Sequence, residues 1–391
     1  MPWKETWPMK ERLQLVTLYQ TERFSVSTLA KKFQVSRKTA HKWIKRFMEE
    51  GPPGLADRTR TPRSHPRTTA PVVVSAILRA KEAHPTWGPA KLQPGPRDPV
   101  AVRQAWPSVS TRGGILARAG LTIARRRRRR TPPWSQPFSH CAAPNAVWCA
   151  DFKGWFRTGD GRRCDPLTIT DAYSRSLLTC RGLFQPKTTE VRVVFEQAFR
   201  HYGLPWAMRT DNGWPFASVG AGGLSTLSVW WVKLGILPER IQPGHPEQNG
   251  RHERFHRTLK ETTLRPPAAT LAAQQERFDW FQEEYNTLRP HEALGQRPPA
   301  TLYAPALRQY PDRLEDPCYP QTDERRRVRR NGQIKWRSEL VFVSEALVGE
   351  TVGIREQAHG WLVSFGPIPL GMLYPHSKSL ERLPLGTRPW H

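Results

Sequence analysis

The sequence predicts a multidomain chain: an all-α N-terminal part, a central α/β part and a small β-barrel towards the C-terminal end. Three observations predict it. Charge is lopsided: the 391 residues carry +27 formally, and residues 1–140 hold 28 Lys plus Arg against 8 Asp plus Glu, a surplus of 20. From residue 141, apolar runs of strand length alternate with apolar positions at helical spacing. From residue 325 to 374 the apolar runs are all short and strand-like. A basic arm on a nearly balanced body points to a polyanion, nucleic acid first. An anionic membrane surface is the poorer fit, since no long basic amphipathic helix is present. No apolar stretch of about 18 residues exists to span a bilayer, and Met1 to Arg12 is too polar for a signal peptide. Cys141, Cys149, Cys164, Cys180 and Cys318 are odd in number and lack paired ligand spacing, so they read as reduced thiols of a cytosolic protein with no zinc site.

Residues 1–52 carry three helical patterns. Apolar spacing predicts a helix over 9–21. Ser25 or Ser27 can cap a short second one, and Ser36 can cap a third that Gly51-Pro52-Pro53 ends. Helix, short helix, turn at Val35-Ser36, basic helix is the helix-turn-helix order. In the third helix Ala40, Trp43, Ile44 and Phe47 can face inward. Arg37, Lys38, Thr39, His41, Lys42, Lys45 and Arg46 then face a DNA groove. Residues 53–71 read as a Pro/Thr/Arg-rich linker. Residues 72–122 read as a second, degenerate helix-turn-helix, interrupted by the Pro/Gly run Gln93 to Pro99. Residues 123–140 form an Arg/Pro-rich linker whose six arginines, Arg125 to Arg130, suit a tether laid along phosphates.

Residues 141–305 form the α/β part. Ala146 to Phe152 is a strand; Leu167 to Ala172 and Ser176 to Cys180 are hairpin partners joined across Tyr173-Ser174-Arg175. Residues 188–202 are an amphipathic helix that Gly203 closes. Trp206 to Asp211 is a strand ending in an acid, and a Gly/Ser-rich insertion, Ser218 to Ser225, follows. Helices are predicted around Leu227–Leu234, after Asn249-Gly250, and over 271–285. Residues 306–324 are a linker. Residues 325–377 are the predicted small barrel, opening with a hairpin across Asn331-Gly332, a type I′ turn signal, and carrying a basic rim at Arg325 to Arg330. Residues 378–391 are a tail.

Three acids stand out: Asp151 on the first strand, Asp211 at the end of a later one, and Glu253 on the helix after Gly250. Strands that neighbour each other would project both aspartates from one sheet end. Converging carboxylates repel, and hard divalent cations with oxygen preference resolve the repulsion. Two such ions clamp the attacking and leaving oxygens of a phosphodiester. On the same helix Arg257 and Lys260 share Glu253's face, at spacings of four and three. The bland reading of that face is a solvated helix with Glu-to-Arg pairs. Asp171 reads as a turn residue, and His245, His252 and His256 as structural or DNA-facing.

Trp148-Cys149-Ala150-Asp151-Phe152-Lys153-Gly154, Thr210-Asp211-Asn212-Gly213, and Glu253-Arg254-Phe255-His256-Arg257-Thr258-Leu259-Lys260 together resemble the integrase catalytic core of bacterial insertion-sequence DDE transposases. Tyr285-Asn286 followed by Arg289-Pro290-His291-Glu292-Ala293-Leu294 is similar to the segment after that core. The resemblance implies a ribonuclease-H-like mixed five-stranded sheet, shared with retroviral integrases. It implies Asp151, Asp211 and Glu253 as catalytic residues and ligands of two Mg²⁺ or Mn²⁺ ions, with Lys260 and Arg257 contacting DNA. It implies 3′-end cleavage by water at terminal inverted repeats, then strand transfer to target DNA, by a homo-oligomer in the bacterial cytoplasm at the nucleoid. The family commonly places 35 residues between its second Asp and its Glu. Glu247 has that spacing from Asp211 but lies among Pro246, Gln248, Asn249 and Gly250; Glu253, 41 residues on, opens the helix, and the insertion accounts for the extra six. Alternatives are a non-catalytic DNA-binding regulator or decayed transposase, and a nonspecific nuclease of the same fold.

Overall fold

The computed structural model describes residues 7–59, 68–93, 105–122, 141–240, 250–375 and 379–383. The arginine run 125–130, Glu247 with His245, and most of the Pro/Gly run 93–99 lie outside them. The chain divides into two compact units, Met1–Thr69 and Ala70–His391.

In the first unit, α1 (Pro8–Gln20), α2 (Val26–Lys32) and α3 (Arg37–Glu50) follow the predicted order. Ser25 and Ser36 accept from the backbone N–H groups of Thr28 and Thr39, supplying a partner to donors that a helix start leaves unmet. Gly51, at φ +68°, ends α3. Leu15, Val16, Ala30, Ala40, Trp43, Ile44 and Leu55 fill a small core. The Arg12 guanidinium stands 3.8 Å over the Trp43 ring and donates to the Leu55 carbonyl, so a cation closes one side of it.

The second unit opens with α4 (Pro71–Ala83) and α5 (Val109–Arg118). Ser108 caps α5, and both helices pack around Trp87 and Leu92. The central sheet holds β1 (Val147–Phe152), β2 (Phe156–Arg157), β3 (Arg163–Asp171), β4 (Leu177–Leu183), β5 (Ala207–Thr210) and β6 (Leu237–Arg240). Its order is β4-β3-β1-β5-β6, with β2 a short extension beside β3. β1 is antiparallel to β3 and parallel to β5, and β5 is parallel to β6, so the sheet is mixed. Side chains alternate across it. Trp148, Ala150, Leu167 and Ile169 meet α6 (Thr188–Tyr202) and α7 (Thr226–Lys233). Cys164, Leu177 and Cys180 meet α8 (Gly250–Thr263) and α9 (Leu271–Thr287) on the other face. Among the described residues no helix is long and apolar enough to cross a membrane.

The C-terminal β region departs from the predicted barrel. β7 (Glu324–Arg327), β10 (Thr351–Gln357), β11 (Gly360–Phe365), β12 (Ile368–Leu373) and β13 (Glu381–Arg382) form an open antiparallel sheet, and β8 (Gln333–Trp336) pairs only with β9 (Glu339–Phe342). The hairpin expected across Asn331-Gly332 is also absent. That dipeptide turns the chain, with Arg329 N–H donating to the Gln333 carbonyl, but β7 hydrogen-bonds to β10 instead of β8. The tight hairpin is β8–β9. Its turn residues Arg337 and Ser338 have φ +42° and +71°, the two positive values a type I′ turn demands. With β7 committed to one edge and β13 to the other, neither sheet closes among the described residues.

The Ser218–Ser225 insertion has a structural task. Ala221 and Leu224 of this segment, with Val229 and Val232 of α7, enter the same apolar core as Val352, Val363 and Leu370. Gly222, at φ +61°, has no room for a side chain: a Cβ there would stand 2.9 Å from Leu370. Arg382 donates to the Val219 carbonyl, and Lys233 of α7 pairs with Asp316 and Glu350.

Candidate functional site

Parallel pairing of β1 and β5 aligns Val147 with Ala207 and Cys149 with Arg209. The two strands therefore deliver Asp151 and Asp211 to the same end of the sheet. Asp151 faces α8, on the side opposite Trp148 and Ala150. The Asp211 carboxyl is held above the ordinary carboxylate range, by burial first and by Asp151's charge second. Gly213 donates its N–H to Asp211 at 3.2 Å; a Cβ at 213 would stand 3.0 Å from the carboxylate. The donors here are hard carboxylate oxygens whose mutual repulsion is a stored cost, and that chemistry fits Mg²⁺ or Mn²⁺.

Glu253 sits in the first turn of α8 with its side chain exposed. The residues that α8 turns inward are His252, Phe255, His256 and Leu259. His256 Nε2 lies 2.9 Å from Thr168 Oγ1, and His252 Nε2 lies 3.4 Å from Thr170 Oγ1, so both imidazoles bind α8 to β3. Burial lowers His252 to about 4 and His256 to about 2. Both rings are thus neutral. The 3.9 Å between His256 Nδ1 and Asp151 is therefore proximity, not an ion pair, because the cost of burying the charge outweighs one distant carboxylate. Asp211 feels the charge of Asp151 and lies within electrostatic reach of His252, and Glu253 stands one residue further round the helix. No group of three or more His, Cys, Asp or Glu side chains closes on an ion position among the described residues.

Around the pair, Lys153 has its amine lowered, chiefly by burial and then by Lys260, while Asp151 raises it. Lys153, which the sequence reading passed over, is thus the neighbour of both Asp151 and Lys260. Lys260 and Arg257 are exposed. Asp171 is structural, as expected: it is buried and accepts from Asn145 N–H, Ser174 N–H and Ser174 Oγ, which closes the β3–β4 turn. Asn286, in the segment after the core, donates to and accepts from the backbone of Leu177 and so clamps α9 to β4. Two features could have flagged these residues: Lys153 is two residues from an acid, and Asn286 lies in the recognised segment.

On α3, Arg37, Lys38, His41, Lys42 and Lys45 are exposed as predicted. Thr39 is partly spent on the cap, its hydroxyl 2.8 Å from Ser36. Arg46 is half-buried against Trp43.

Comparison with known proteins gives a consistent picture. Residues 142–246 and 234–299 match models of the integrase core domain, and residues 7–56 and 39–111 match homeodomain-like domains. The insertion element IS476 uncharacterized 39.2 kDa protein of Xanthomonas euvesicatoria is 29% identical over 208 residues, covering 52% of this chain and 58% of that one. The insertion element IS407 uncharacterized 31.7 kDa protein of Burkholderia multivorans is 30% identical over 199 residues, covering 49% and 67%. The chain thus spans little more than half the length of the first of these relatives. Among solved structures, the HTLV-2 integrase catalytic core domain in complex with magnesium is 16% identical, covers 42% of this chain and 99% of its own, and has a TM-score of 0.33. A simian T-cell lymphotropic virus intasome chain is 16% identical, covers 77% and 100%, and has a TM-score of 0.36. Integrase-core matches across the mixed sheet, homeodomain-like matches across the helical head and an insertion-element relative at 30% identity agree: the chain belongs to the insertion-sequence transposases with an integrase catalytic core.

Proposed function

We propose that the chain is a DNA transposase that binds transposon terminal inverted repeats and transfers phosphoryl groups at their ends. The observation that carries the reading is the meeting of Asp151 and Asp211 at one end of parallel strands β1 and β5. Asp151, Asp211 and Glu253 would hold two Mg²⁺ or Mn²⁺ ions, which when bound polarise a phosphodiester and neutralise the charge it develops. In the first step the oxygen of water forms a bond to phosphorus, the bond to the 3′-oxygen breaks, and a 3′-hydroxyl is released. In the second that hydroxyl bonds to a target phosphorus and the target's own 3′-oxygen leaves. Lys153, Lys260 and Arg257 orient phosphates by charge. His252 and His256, neutral and hydrogen-bonded to β3, are positioning residues that fix α8 and hence where Glu253 stands. Arg37, Lys38, His41, Lys42 and Lys45 on α3 supply groove contacts, with Thr39 and Arg46 at the margin of that face. The chain would act as a homo-oligomer on its DNA.

The test is a joining assay with a labelled transposon end, target DNA and Mg²⁺. Wild type joins the end to target, and Asp151→Asn loses joining while retaining end binding. End binding without joining in the wild type would mark a regulator or decayed enzyme, and unselective cutting without joining a nuclease.

A further inference from the structure

We propose that Trp155, flanked by Arg157 and Arg163, is a stacking platform for an unpaired nucleobase at a DNA strand end. The inference deepens the transposase reading and rests on it for the source of the DNA. Trp155 lies between β1 and β2, four residues past Asp151, and is 56% exposed. A single exposed aromatic needs no explanation. The cations around this one do. Arg157 and Arg163 stand directly opposite each other in the β2–β3 pair, where like charges destabilise the strands. Both guanidiniums nevertheless gather at the same indole, 5.9 Å and 5.3 Å from its ring centre. Each has a hydrogen-bonded seat. Arg163 makes two hydrogen bonds to the buried Asp165, at 2.5 Å and 3.1 Å, and Arg157 donates to the Gly161 carbonyl at 2.7 Å.

The result is an aromatic face, partly open to solvent, bordered by Arg163, whose charge Asp165 balances, and by Arg157, which has a carbonyl as partner and keeps its full charge. A base offers the ring its π partner, and an adjoining phosphate offers Arg157 its counter-charge. An acidic peptide would meet the arginines but leave the ring without a partner. A base inside a duplex is already stacked, so the occupant is an overhang or frayed end. In the chain Trp155 follows Lys153 by two residues and Asp151 by four, so the platform adjoins the strand end that carries the first carboxylate.

The test uses the full chain in chelator and measures binding to short labelled duplexes, either blunt or with a single-stranded 3′ overhang. Wild type should prefer the overhang. Trp155→Ala should lose roughly five- to a hundredfold of overhang affinity, the range of one base stack, with blunt-duplex affinity unchanged. Trp155→Phe should keep most of the preference. Arg157→Ala, which leaves the Arg163–Asp165 pair intact, gives a second readout if Trp155→Ala folds poorly: its overhang affinity should fall and the salt slope of log K should shallow by about one phosphate contact. Equal binding of blunt and overhang DNA by wild type, or unchanged overhang affinity in Trp155→Ala and Arg157→Ala, overturns the proposal. Because no joining is required, an overhang preference in a protein that never joins ends would sink the transposase reading alone. Joining with no Trp155 dependence of binding would sink the platform alone.

Discussion

Helices α3 and α8 are both 14 residues long and both basic, but α3 buries only apolar residues whereas α8 buries two imidazoles alongside Phe255 and Leu259. α3 turns Ala40, Trp43 and Ile44 inward and displays cations. α8 turns two imidazoles inward, against hydroxyls of β3 and beside two carboxylates, and displays an acid among its cations. An apolar inner face is the economical way to dock a helix. A partly polar one is retained where hydrogen bonds help set its seat on the sheet. The contrast separates a helix that packs through side-chain bulk and displays its cations from one whose seat on the sheet is set partly by hydrogen bonds beside Asp151.

The sharpest way to break the contrast is at the acids. Glu253→Gln should lower joining by about a thousandfold or more, since metal-centred charge stabilisation supplies several kcal/mol. Glu247→Gln should leave it near wild type. The reverse result would move the function off α8 and reduce its charged face to a solvated one.

Acid titration comes next in size. Burial lowers His252 to about 4, His256 to about 2 and His291 to about 3, from an ordinary 6.5. Depressed imidazoles are neutral in the fold and protonate readily when it opens. Their stabilisation is therefore complete above 6.5 and is lost as pH falls towards the folded values. Each can remove up to about 1.4 kcal/mol per pH unit in that window. Asp211 has the opposite sign: its raised carboxyl costs stability as pH rises through its folded value. Thermal melts of the full chain across this range should fall on acidification, and His256→Asn should shallow the fall. An unchanged slope would mean that α8 does not depend on neutral imidazoles.

The smallest effect belongs to α3. Lys42→Ala should lower end affinity and reduce the salt slope of log K by about one, the signature of one phosphate contact. An unchanged slope would show that α3 reads DNA with another edge.

What was legible follows the same division. α3's inner residues, its Ser36 cap and most of its exposed cations lie within one short stretch, so helical spacing and one serine sufficed to predict them. Asp151 and Asp211 could be paired from the sequence only on the condition that their strands are neighbours, because strand order is not a local property; β1 and β5 meet that condition. The His256–Thr168 and His252–Thr170 contacts join residues 88 and 82 apart in the chain, and no periodicity announces them. β2, two residues long, lies below any pattern signal. The misplaced hairpin has a specific cause: Asn331-Gly332 is the stronger turn dipeptide, yet only Gly332 of it takes positive φ whereas both Arg337 and Ser338 do, and β7's partner is β10, distant in sequence.

The apolar seat formed by Ala221, Leu224, Val229 and Val232 bears on how the chain can be shortened. A catalytic fragment that stops before Glu324 strips the cover from the stretch linking Asp211 to α8. Such a fragment trades solubility for size, and its inactivity would be uninformative about catalysis. Polar replacements at Leu224 and Val229 belong in any minimal version before its chemistry is judged.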